Sequence, residues 1–358
     1  MTSPPAPRTT HPYYMHDAIV AQPGALRSVL PSNAATIARA AERLRAMEHV
    51  ILCGIGTSWH AALVGELLLA RSGRLGHRVR AMHSFELASS WPPVPPETGV
   101  IAISHRGGLP FAHEALARAG SEGVAISVTG RSPRRAGDGE LALLTVDQEI
   151  AAAHTVSYTT ALALLAALAD AVGGGDAATR GLARVPDQIE ALLHRDAWVE
   201  LARRFGDRRR YWFVGGGPNT ATAYEAALKM TETNYATATG INCEQFLHGV
   251  YTAMTGEDVL VLIAPPGPAR ARCLTAARAA KAIGTPVLLL ADDDDQELKA
   301  LAVETIALPA VDELLSPIVA VVPLQLFAYH LAVRRGVNPD TMRAAEPPYA
   351  RARELVAS

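Results

Sequence analysis

The chain has 358 residues, and its 33 basic and 35 acidic side chains give a formal net charge of -2 at pH 7. This balance excludes the basic field of a general nucleic-acid-binding protein, and 5% aromatic residues are too few to form stacking platforms along single strands. Hydrophobic residues make up 49%, which is enough for a large core, and the length predicts two domains. Only three of the basic residues are lysine: Lys229, Lys281 and Lys299.

Three cysteines, Cys53, Cys243 and Cys273, are odd in number and far apart, so they suit neither a disulfide framework nor a zinc motif. The proline-rich start has no apolar signal-peptide region, and charge, Gly or Pro interrupts each apolar run before it reaches the length of a membrane span. We therefore expect a cytoplasmic protein that binds neither membranes nor nucleic acid.

In the first half, short apolar runs alternate with helical patterns. A loose arm is expected over residues 1–12, and a helix over 34–47. Strands are predicted over 50–53, 78–83, 99–104, 123–130 and 141–149, with helices from about 58, over 110–119 and over 154–172.

The second half repeats this order. Strands are predicted over 209–214, 258–263, 285–290 and 304–308, with a helix after the first of them and a long apolar helix over 316–335. Two openings of the form strand, glycine turn, helix lie about 160 residues apart, which indicates an approximate duplication, and 173–181 is the predicted linker. Strands that alternate with helices predict α/β domains whose parallel sheets are covered on both faces.

Two loops that follow strands carry hydroxyl groups. In GIGTSWH, Gly56 allows backbone N–H groups to converge, and Thr57 and Ser58 precede a helix whose N-terminus favours anions. A plain capped turn is an equally good interpretation of this segment alone. In AISHRGG, Ser104 ends another strand, and Arg106 either binds an anion or is a solvated turn residue.

One helix carries a second set of candidates. Glu225, Lys229 and Glu232 are spaced i, i+4 and i+7, so they share a face. A surface ion pair would explain this spacing, but the surroundings are apolar, and lysine is an amine that burial can tune. His248 follows Glu232 by 16 residues and could complete a general acid–base pair. The remaining histidines, which show no metal spacing, are interpreted as helix-face or core residues: His60, His113, His154 and His330.

Six segments, in the correct order, resemble the double SIS-domain phosphosugar isomerase family, and in particular the isomerase half of glutamine–fructose-6-phosphate aminotransferase. YMHDAIVAQPGAL is similar to the family's YMxKEIxEQPxAI, CGIGTSWHAALV to CGTSYHAGLV, and AISHRGG to its SQSGET loop. DQEIAAAHTVSYTT resembles TEIGVASTKAFTT, and ALKMTETNYATATGINCEQFLHG resembles ALKxKExxYxxAEAxxxxELKHG. VVPLQLFAYHLAVRRGVNPD is similar to VPLQLLAYHxAxxxGxDxD.

The resemblance implies roles for the matching residues. Glu232 matches the glutamate that moves a proton between C1 and C2 of the open-chain sugar, His248 the histidine linked to ring opening, and Lys229 the lysine that contacts the reacting hydroxyl groups. The substrate and its phosphate are expected to bind at Gly56, Thr57, Ser58, Ser104, His105, Arg106, Gly107 and Ala152. The family usually completes its site at a dimer interface, with the histidine loop coming from the neighbouring subunit. Neither a metal nor a cofactor is expected.

The chain also departs from the family. Arg106 and Leu109 stand where the SQSGET loop has a serine and a threonine, so two hydroxyl donors to phosphate are lost. Pro347 stands where the aminotransferase has its Schiff-base lysine. No glutaminase segment with a cysteine after the initiator methionine is present, since Thr2 follows Met1. Self-contained glutamine-dependent amino transfer is therefore not expected.

We predict two tandem SIS-type three-layer αβα sandwiches, with an arm over 1–34, domains over 35–180 and 181–335, and a tail over 336–358. The expected activity is aldose–ketose isomerisation of an amino-sugar or ketosamine phosphate in a homodimer, with C–N cleavage as a further step. Three alternatives stay open: an aminating isomerase supplied with ammonia by a separate glutaminase or from solution, a non-catalytic sugar-phosphate-binding protein, and an enzyme for a non-phosphorylated or carboxylated substrate.

Overall fold

The structure is a computed structural model that describes residues 6–108, 110–131, 137, 139–195 and 197–357. Residues 6–13 form neither helix nor strand, and the described chain then alternates between helices and strands. Leu109, one of the two predicted departures from the family loop, lies outside the described residues.

The first half folds around a five-stranded sheet in which every neighbouring pair is parallel. Its strands follow the order β2-β1-β3-β4-β5 across the sheet. Their bounds are β1 (His49–Gly54), β2 (Val79–His83), β3 (Thr98–Ser104), β4 (Val124–Arg131) and β5 (Leu141–Asp147).

The second half folds around another parallel five-stranded sheet with the order β10-β9-β8-β6-β7. Its strands are β6 (Tyr211–Gly215), β7 (Ala238–Asn242), β8 (Val259–Ala264), β9 (Val287–Asp292) and β10 (Glu304–Leu308). Read from β7 to β10, this order repeats that of the first sheet, so the predicted duplication is present in the topology. The short edge strand β7 was not predicted, because ATGIN is only partly buried and lacks an apolar run.

Helices cover both faces of each sheet. In the first half they are α1 (Tyr14–Val20), α2 (Gln22–Arg45), α3 (Thr57–Arg71), α4 (Ser84–Ser89), α5 (Pro110–Ala117) and α6 (Val156–Gly173). In the second half they are α7 (Ala177–Leu182), α8 (Val185–Leu193), α9 (Ala197–Phe205), α10 (Asn219–Asn234), α11 (Cys243–Leu247), α12 (Arg270–Ile283), α13 (Gln296–Lys299), α14 (Ser316–Arg334) and α15 (Pro347–Ala357). Single 3₁₀ turns occupy Gly76–Arg78 and Val250–Ala253.

Alternation along the strands divides the apolar residues among three cores. On β1, Val50 and Leu52 face a large central core, whereas Ile51 and Cys53 face an outer core with α4 and α5. The central core also contains one face of the second sheet and the apolar sides of α2, α3, α6, α10 and α14. The other face of the second sheet packs on a third core with α11, α12 and α13. The predicted α/β architecture with helices on both faces of parallel sheets is therefore confirmed.

Several predicted element limits were wrong. The helix expected over 34–47 begins at Gln22 and continues through Pro31, because its buried face packs against α6 and α8. The predicted arm therefore contains α1 and half of α2. Part of the predicted linker is α7, and the predicted tail contains α15. The domain limits themselves stay a prediction.

Two helices, α6 and α14, are long and apolar enough to cross a membrane by length and composition alone. In each of them, 89% of the apolar window is buried inside the protein. Both helices are core helices in this structure.

Candidate active site at the strand ends of the first sheet

A crevice forms where the chain leaves β1 and β3, which are neighbouring strands of the first sheet. The helix after β1 is α3, which lies in the central core, whereas the helix after β3 is α5, which lies in the outer core. The two loops therefore separate at the carboxyl ends of the strands. Such a topological switch point is where open α/β sheets bind ligands.

A cavity of about 720 Å³ opens at this crevice. Its walls come from both halves of the chain and from the C-terminal helix. The lining residues are Ile55, Gly56, Thr57, Ser58, Ser104, His105, Arg106, Gly108, Ala152, His154, Leu228, Lys229, Glu232, Met342, Arg353 and Val356. The structure therefore brings together all but two of the predicted site residues; Gly107 and His248 do not line the cavity.

The two loops present hydroxyl groups to the cavity. Gly56 has a φ of 59°, which places Thr57 and Ser58 in the first turn of α3. Ser104 ends β3, and its buried Oγ has no hydrogen-bond partner among the described residues. Gly107 has a φ of 62°, and its N–H donates to the Ser104 carbonyl at 3.0 Å. Gly107 therefore shapes the turn.

The α10 helix packs against α3 and brings its charged face to the crevice. The Lys229 ammonium lies 2.5 Å from Glu232 Oε2 and 3.3 Å from Glu225 Oε1. It also donates to Thr57 Oγ1 at 3.2 Å. Lys229 and Glu225 are buried, whereas the Glu232 side chain keeps 19% of its surface exposed. The interpretation as a surface ion pair is therefore wrong.

Burial and charge act in opposite directions on the pKa of each of these groups. Burial alone would lower the pKa of Lys229, but the carboxylates of Glu225 and Glu232 outweigh it and raise that pKa. Burial would raise the pKa of Glu225, but Lys229 and His60 outweigh it and lower that pKa. At Glu232 burial prevails over the attraction of Lys229, so the pKa is raised.

These directions assign different chemistry to Lys229 and Glu232. Lys229 stays an ammonium ion and acts as a hydrogen-bond donor, so burial does not convert it into the free amine that a Schiff base needs. Glu232, with a raised pKa and a partly exposed carboxylate, suits general acid–base catalysis.

His248 lies away from this cavity. It follows α11, its side chain is 72% exposed, and its Nε2 lies 2.9 Å from Glu244 Oε1. Glu232 lines the cavity and His248 does not, so one copy of the chain does not bring these two residues together at the cavity.

Two features of the site were not predicted. His154 was interpreted as a core or helix-face residue, but it lines the cavity. His60 was interpreted in the same way, and it is buried. Its Nδ1 lies 2.7 Å from Glu225 Oε2. The other oxygen of this carboxylate, Oε1, accepts a hydrogen bond from the Thr57 hydroxyl at 3.1 Å. Neither position carries a signal along the chain, because each contact joins elements that are distant in the sequence.

Two arginines and a backbone amide complete the walls. The Arg106 side chain makes no hydrogen bond or ion pair with another described residue, and Arg353 reaches the cavity from α15. The Ala152 N–H donates to the Asp340 carbonyl at 2.9 Å, which ties the wall of the cavity to the segment before α15.

Comparison with known proteins found similar sequences and similar folds. Residues 205–335 match the SIS domain family. The glutamine–fructose-6-phosphate aminotransferase [isomerizing] of Thermococcus kodakarensis is 34% identical over 353 residues, which cover 94% of this chain and 58% of the relative. The chain therefore spans somewhat more than half of that relative's length.

Solved structures share the fold. Tagatose-6-phosphate ketose/aldose isomerase from Escherichia coli has a TM-score of 0.81 at 21% identity, with 95% of this chain and 98% of that chain covered. A glucosamine-6-phosphate deaminase from Thermotoga maritima has a TM-score of 0.73 at 18% identity, with 92% of this chain and 97% of that chain covered.

Residues 205–335 thus match an SIS domain. The resemblance of the chain to the double SIS-domain phosphosugar isomerases, predicted from its motifs, is confirmed.

Proposed function

We propose that the protein is an aldose–ketose isomerase whose substrate is an amino-sugar phosphate or a ketosamine phosphate. The observation that carries the proposal is the position of Glu232, a carboxylate with a raised pKa, beside a buried ammonium in the cavity that also holds the strand-end hydroxyls. The names of the relatives, which include a ketose/aldose isomerase and an amino-sugar-phosphate deaminase, support the same class of substrate.

In the proposed reaction the Glu232 carboxylate removes the proton from the carbon next to the carbonyl of the open-chain sugar. The electron pair moves to the carbonyl oxygen, which gives an enediol or enaminol. The Lys229 ammonium, held by two carboxylates, donates a hydrogen bond to the oxygen that gains charge. Glu232 then returns the proton to the neighbouring carbon. The hydroxyl or amino group on the carbon that lost its proton passes a proton to the oxygen that gained charge and becomes the new carbonyl or imine, which completes the isomerisation.

The same proton transfer prepares a ketosamine for C–N cleavage. When the proton moves from C1 to C2, the C1–N bond becomes an imine, and the former carbonyl becomes a hydroxyl group. Water adds to the imine carbon, and the amine leaves with a proton. The products are an aldose phosphate and a free amine, as in a deaminase or deglycase.

His248 is proposed to act in a neighbouring copy of the chain. Its side chain is 72% exposed and lies on a segment that does not line the cavity of its own chain, so a second copy could receive it. We propose a homodimer in which this histidine assists ring opening or protonates the leaving amine. The predicted cytoplasmic location stays part of the proposal.

An aminating isomerase is the second candidate, because the aminotransferase of Thermococcus kodakarensis is 34% identical. It would accept ammonia from solution or from a separate glutaminase. Pro347 at the position of the Schiff-base lysine argues against it. Formation of an amino sugar from fructose 6-phosphate and ammonium salts would favour this candidate over the ketosamine reaction.

A thermal-shift screen first selects ligands from sugar phosphates, ketosamine phosphates and the corresponding unphosphorylated compounds. A turnover assay with the selected compounds then tests the proposal. Glu232→Gln should reduce kcat by about 10²–10⁴-fold, because it removes the base and keeps the shape. Glu257→Gln, at an exposed carboxylate far from the cavity, is the matched control and should leave kcat unchanged. Full turnover by Glu232→Gln would disprove the proposal, and a thermal shift with unphosphorylated ligands alone would exclude a phosphate substrate.

A further inference from the structure

A small recess lies beside the main cavity. It has a volume of about 20 Å³ and shares four residues with the cavity wall: Thr57, Ser58, His105 and His154. We call it the inner recess; its other lining residues are Ala61, Ile103, Val128, Thr145, Ser157, Tyr158 and Ala161. Such a volume holds one water-sized group.

Polar atoms around the inner recess lack partners. The buried His105 Nδ1, His154 Nε2 and Tyr158 OH have no hydrogen-bond partner among the described residues, and neither does Ser104 Oγ on the adjoining cavity wall. His105 and Tyr158 are 9% and 2% exposed. Because buried polar groups are nearly always hydrogen-bonded, the three such atoms that line the recess, together with Ser104 Oγ beside it, are available to bind a group that supplies the missing partners.

The hydrogen bonds of His105 fix its protonation. The backbone N–H of Glu149 donates to His105 Nε2 at 3.1 Å, so Nε2 is the unprotonated nitrogen. The proton of the neutral ring is therefore on Nδ1, which makes this atom a donor without an acceptor. A second proton on Nε2 would oppose the Glu149 N–H, so His105 is held as a neutral donor.

His154 lies against His105, with ring centroids 4.8 Å apart and an interplanar angle of 78°. Burial lowers the pKa of His154 to about 4; among the charged groups that face it, Glu149 raises this pKa, whereas His105, Lys229 and Arg106 lower it. Burial also lowers the pKa of His105; the charge of Glu149 raises this pKa, and that of Arg106 lowers it further. Tyr158 stays protonated because burial raises its pKa.

His154 is thus uncharged at neutral pH in the free protein, and nothing at its Nε2 opposes a second proton. An anion placed at the recess would favour the imidazolium form. Because Glu149 already accepts hydrogen bonds from the backbone N–H groups of Thr155 and Ser157, its carboxylate is engaged elsewhere.

We propose that His105 and His154 are the residues that replace the lost hydroxyl donors, and that the phosphate monoester of the substrate binds in the main cavity at the mouth of the inner recess, with one oxygen inside the recess and with uptake of a proton by His154. This proposal rests on the proposed function for the presence of a sugar phosphate, and it adds the binding residues and their coupling to pH. A phosphate monoester fits better than a carboxylate, because it has three acceptor oxygens and a second ionisation near pH 6.

The test measures binding without turnover. Glucitol 6-phosphate has no carbonyl group and cannot be isomerised, so calorimetric titrations with it, near neutral pH in buffers of different ionisation enthalpy, report proton uptake alone. Because a nearby anion raises a pKa by about 1–3 units, the wild type should take up a fraction of a proton per site, and its Kd should rise by up to about tenfold per pH unit as the pH increases. Glucitol 6-sulfate, which carries no titratable proton in this range, should show the same uptake.

His154→Gln should still bind glucitol 6-phosphate and should lose the proton uptake seen with the sulfate ester. If this variant does not fold, His154→Ser replaces it, since the family motif has serine there. His77→Gln, at an exposed histidine, is the matched control and should keep the uptake. His105→Gln, which retains a donor, should bind like the wild type, and His105→Leu should bind roughly tenfold more weakly.

Three results would each overturn the proposal: no binding of glucitol 6-phosphate, no proton uptake by the wild type, or equal proton uptake by wild type and His154→Gln when the sulfate ester binds. These results are independent of catalysis. Proton-coupled binding without turnover of any sugar phosphate would contradict the proposed function only, and turnover without proton uptake would contradict the inference only.

Discussion

Glu225 and Lys229 lie one turn apart on α10, and their side chains form a fully buried ion pair of 3.3 Å at the junction of the two halves of the chain. Glu225 does not line the cavity, whereas Lys229 does. The buried carboxylate therefore holds the ammonium in place from behind, and the ammonium donates to Glu232 and Thr57 at the edge of the cavity.

Removal of one partner of this pair should be costly. Lys229→Met leaves the Glu225 carboxylate buried with only His60 and Thr57 as partners, so we expect a loss of about 3–5 kcal/mol in the free energy of unfolding. The double variant Glu225→Gln with Lys229→Met removes both charges and should recover most of this loss. Urea unfolding of Lys229→Met, Glu225→Gln and the double variant measures the coupling, and additive effects would contradict it.

The raised pKa of Glu232 predicts the acid limb of the pH–rate profile. The proposed base must be ionised, so kcat should fall as the pH decreases through the raised pKa, above the ordinary value of 4.5. Steady-state rates over a pH series give this limb. A limb at the ordinary pKa of a glutamate would show that burial does not tune this carboxylate during turnover.

The same shift has a consequence for stability. The folded-state pKa of Glu232 lies above the unfolded value, so its protonated form favours the fold: this contribution is fully present below the unfolded pKa and is lost as the pH rises through the folded pKa. Glu232→Gln cannot ionise, so it should gain stability relative to the wild type as the pH rises through this window. Urea unfolding of both proteins at a series of pH values checks the sign.

Mixing experiments test the shared site. If His248 of one subunit serves the cavity of its neighbour, Glu232→Gln and His248→Ala homodimers are each inactive. Random exchange of their subunits makes half of the dimers mixed, and each mixed dimer has one intact site, so about a quarter of wild-type activity should return. No recovery, although mixed dimers form, would place both residues in the same subunit's site.

Gly54 is predicted to be essential to the strand-end loop. A Cβ at this position would lie 2.4 Å from the backbone carbon and oxygen of Ser58, so Gly54→Ala must displace the first turn of α3 and should cost about 1–3 kcal/mol. Gly24→Ala is the matched control: Gly24 lies in α2 with no atom within 4 Å of the added Cβ, so this change should stabilise the protein by about 0.5–1 kcal/mol. Urea midpoints give both values.

Most strands and helices could be predicted from the sequence because apolar runs and turn residues are local signals. Short apolar runs rich in Val and Ile, such as VLVLIA, are typical of strands buried on both faces, and the structure has β8 there. The helix break expected before residue 34 was wrong because local propensity at Pro31 and its neighbours is outweighed by packing on α6 and α8. The edge strand β7 has so little apolar surface that no pattern marks it.

The site residues could be predicted where they lie in a glycine-containing loop or share a helix face by their spacing, as Thr57, Ser58, Lys229 and Glu232 do. It was not predictable where it depends on distance in space. His154 reaches the cavity because β5 ends next to β4 at the same edge of the sheet, and His60 meets Glu225 because α3 packs on α10. Neither contact has a signature along the chain.

The central core makes the two halves inseparable. Side chains from α2, α3 and α6 of the first half and from α10 and α14 of the second half pack in one continuous cluster. A fragment that ended after the first sheet would expose an apolar wall to water, and so would its complement, so neither is expected to be soluble when produced alone. Although the two sheets repeat one topology, neither half is therefore expected to fold when it is separated from the other.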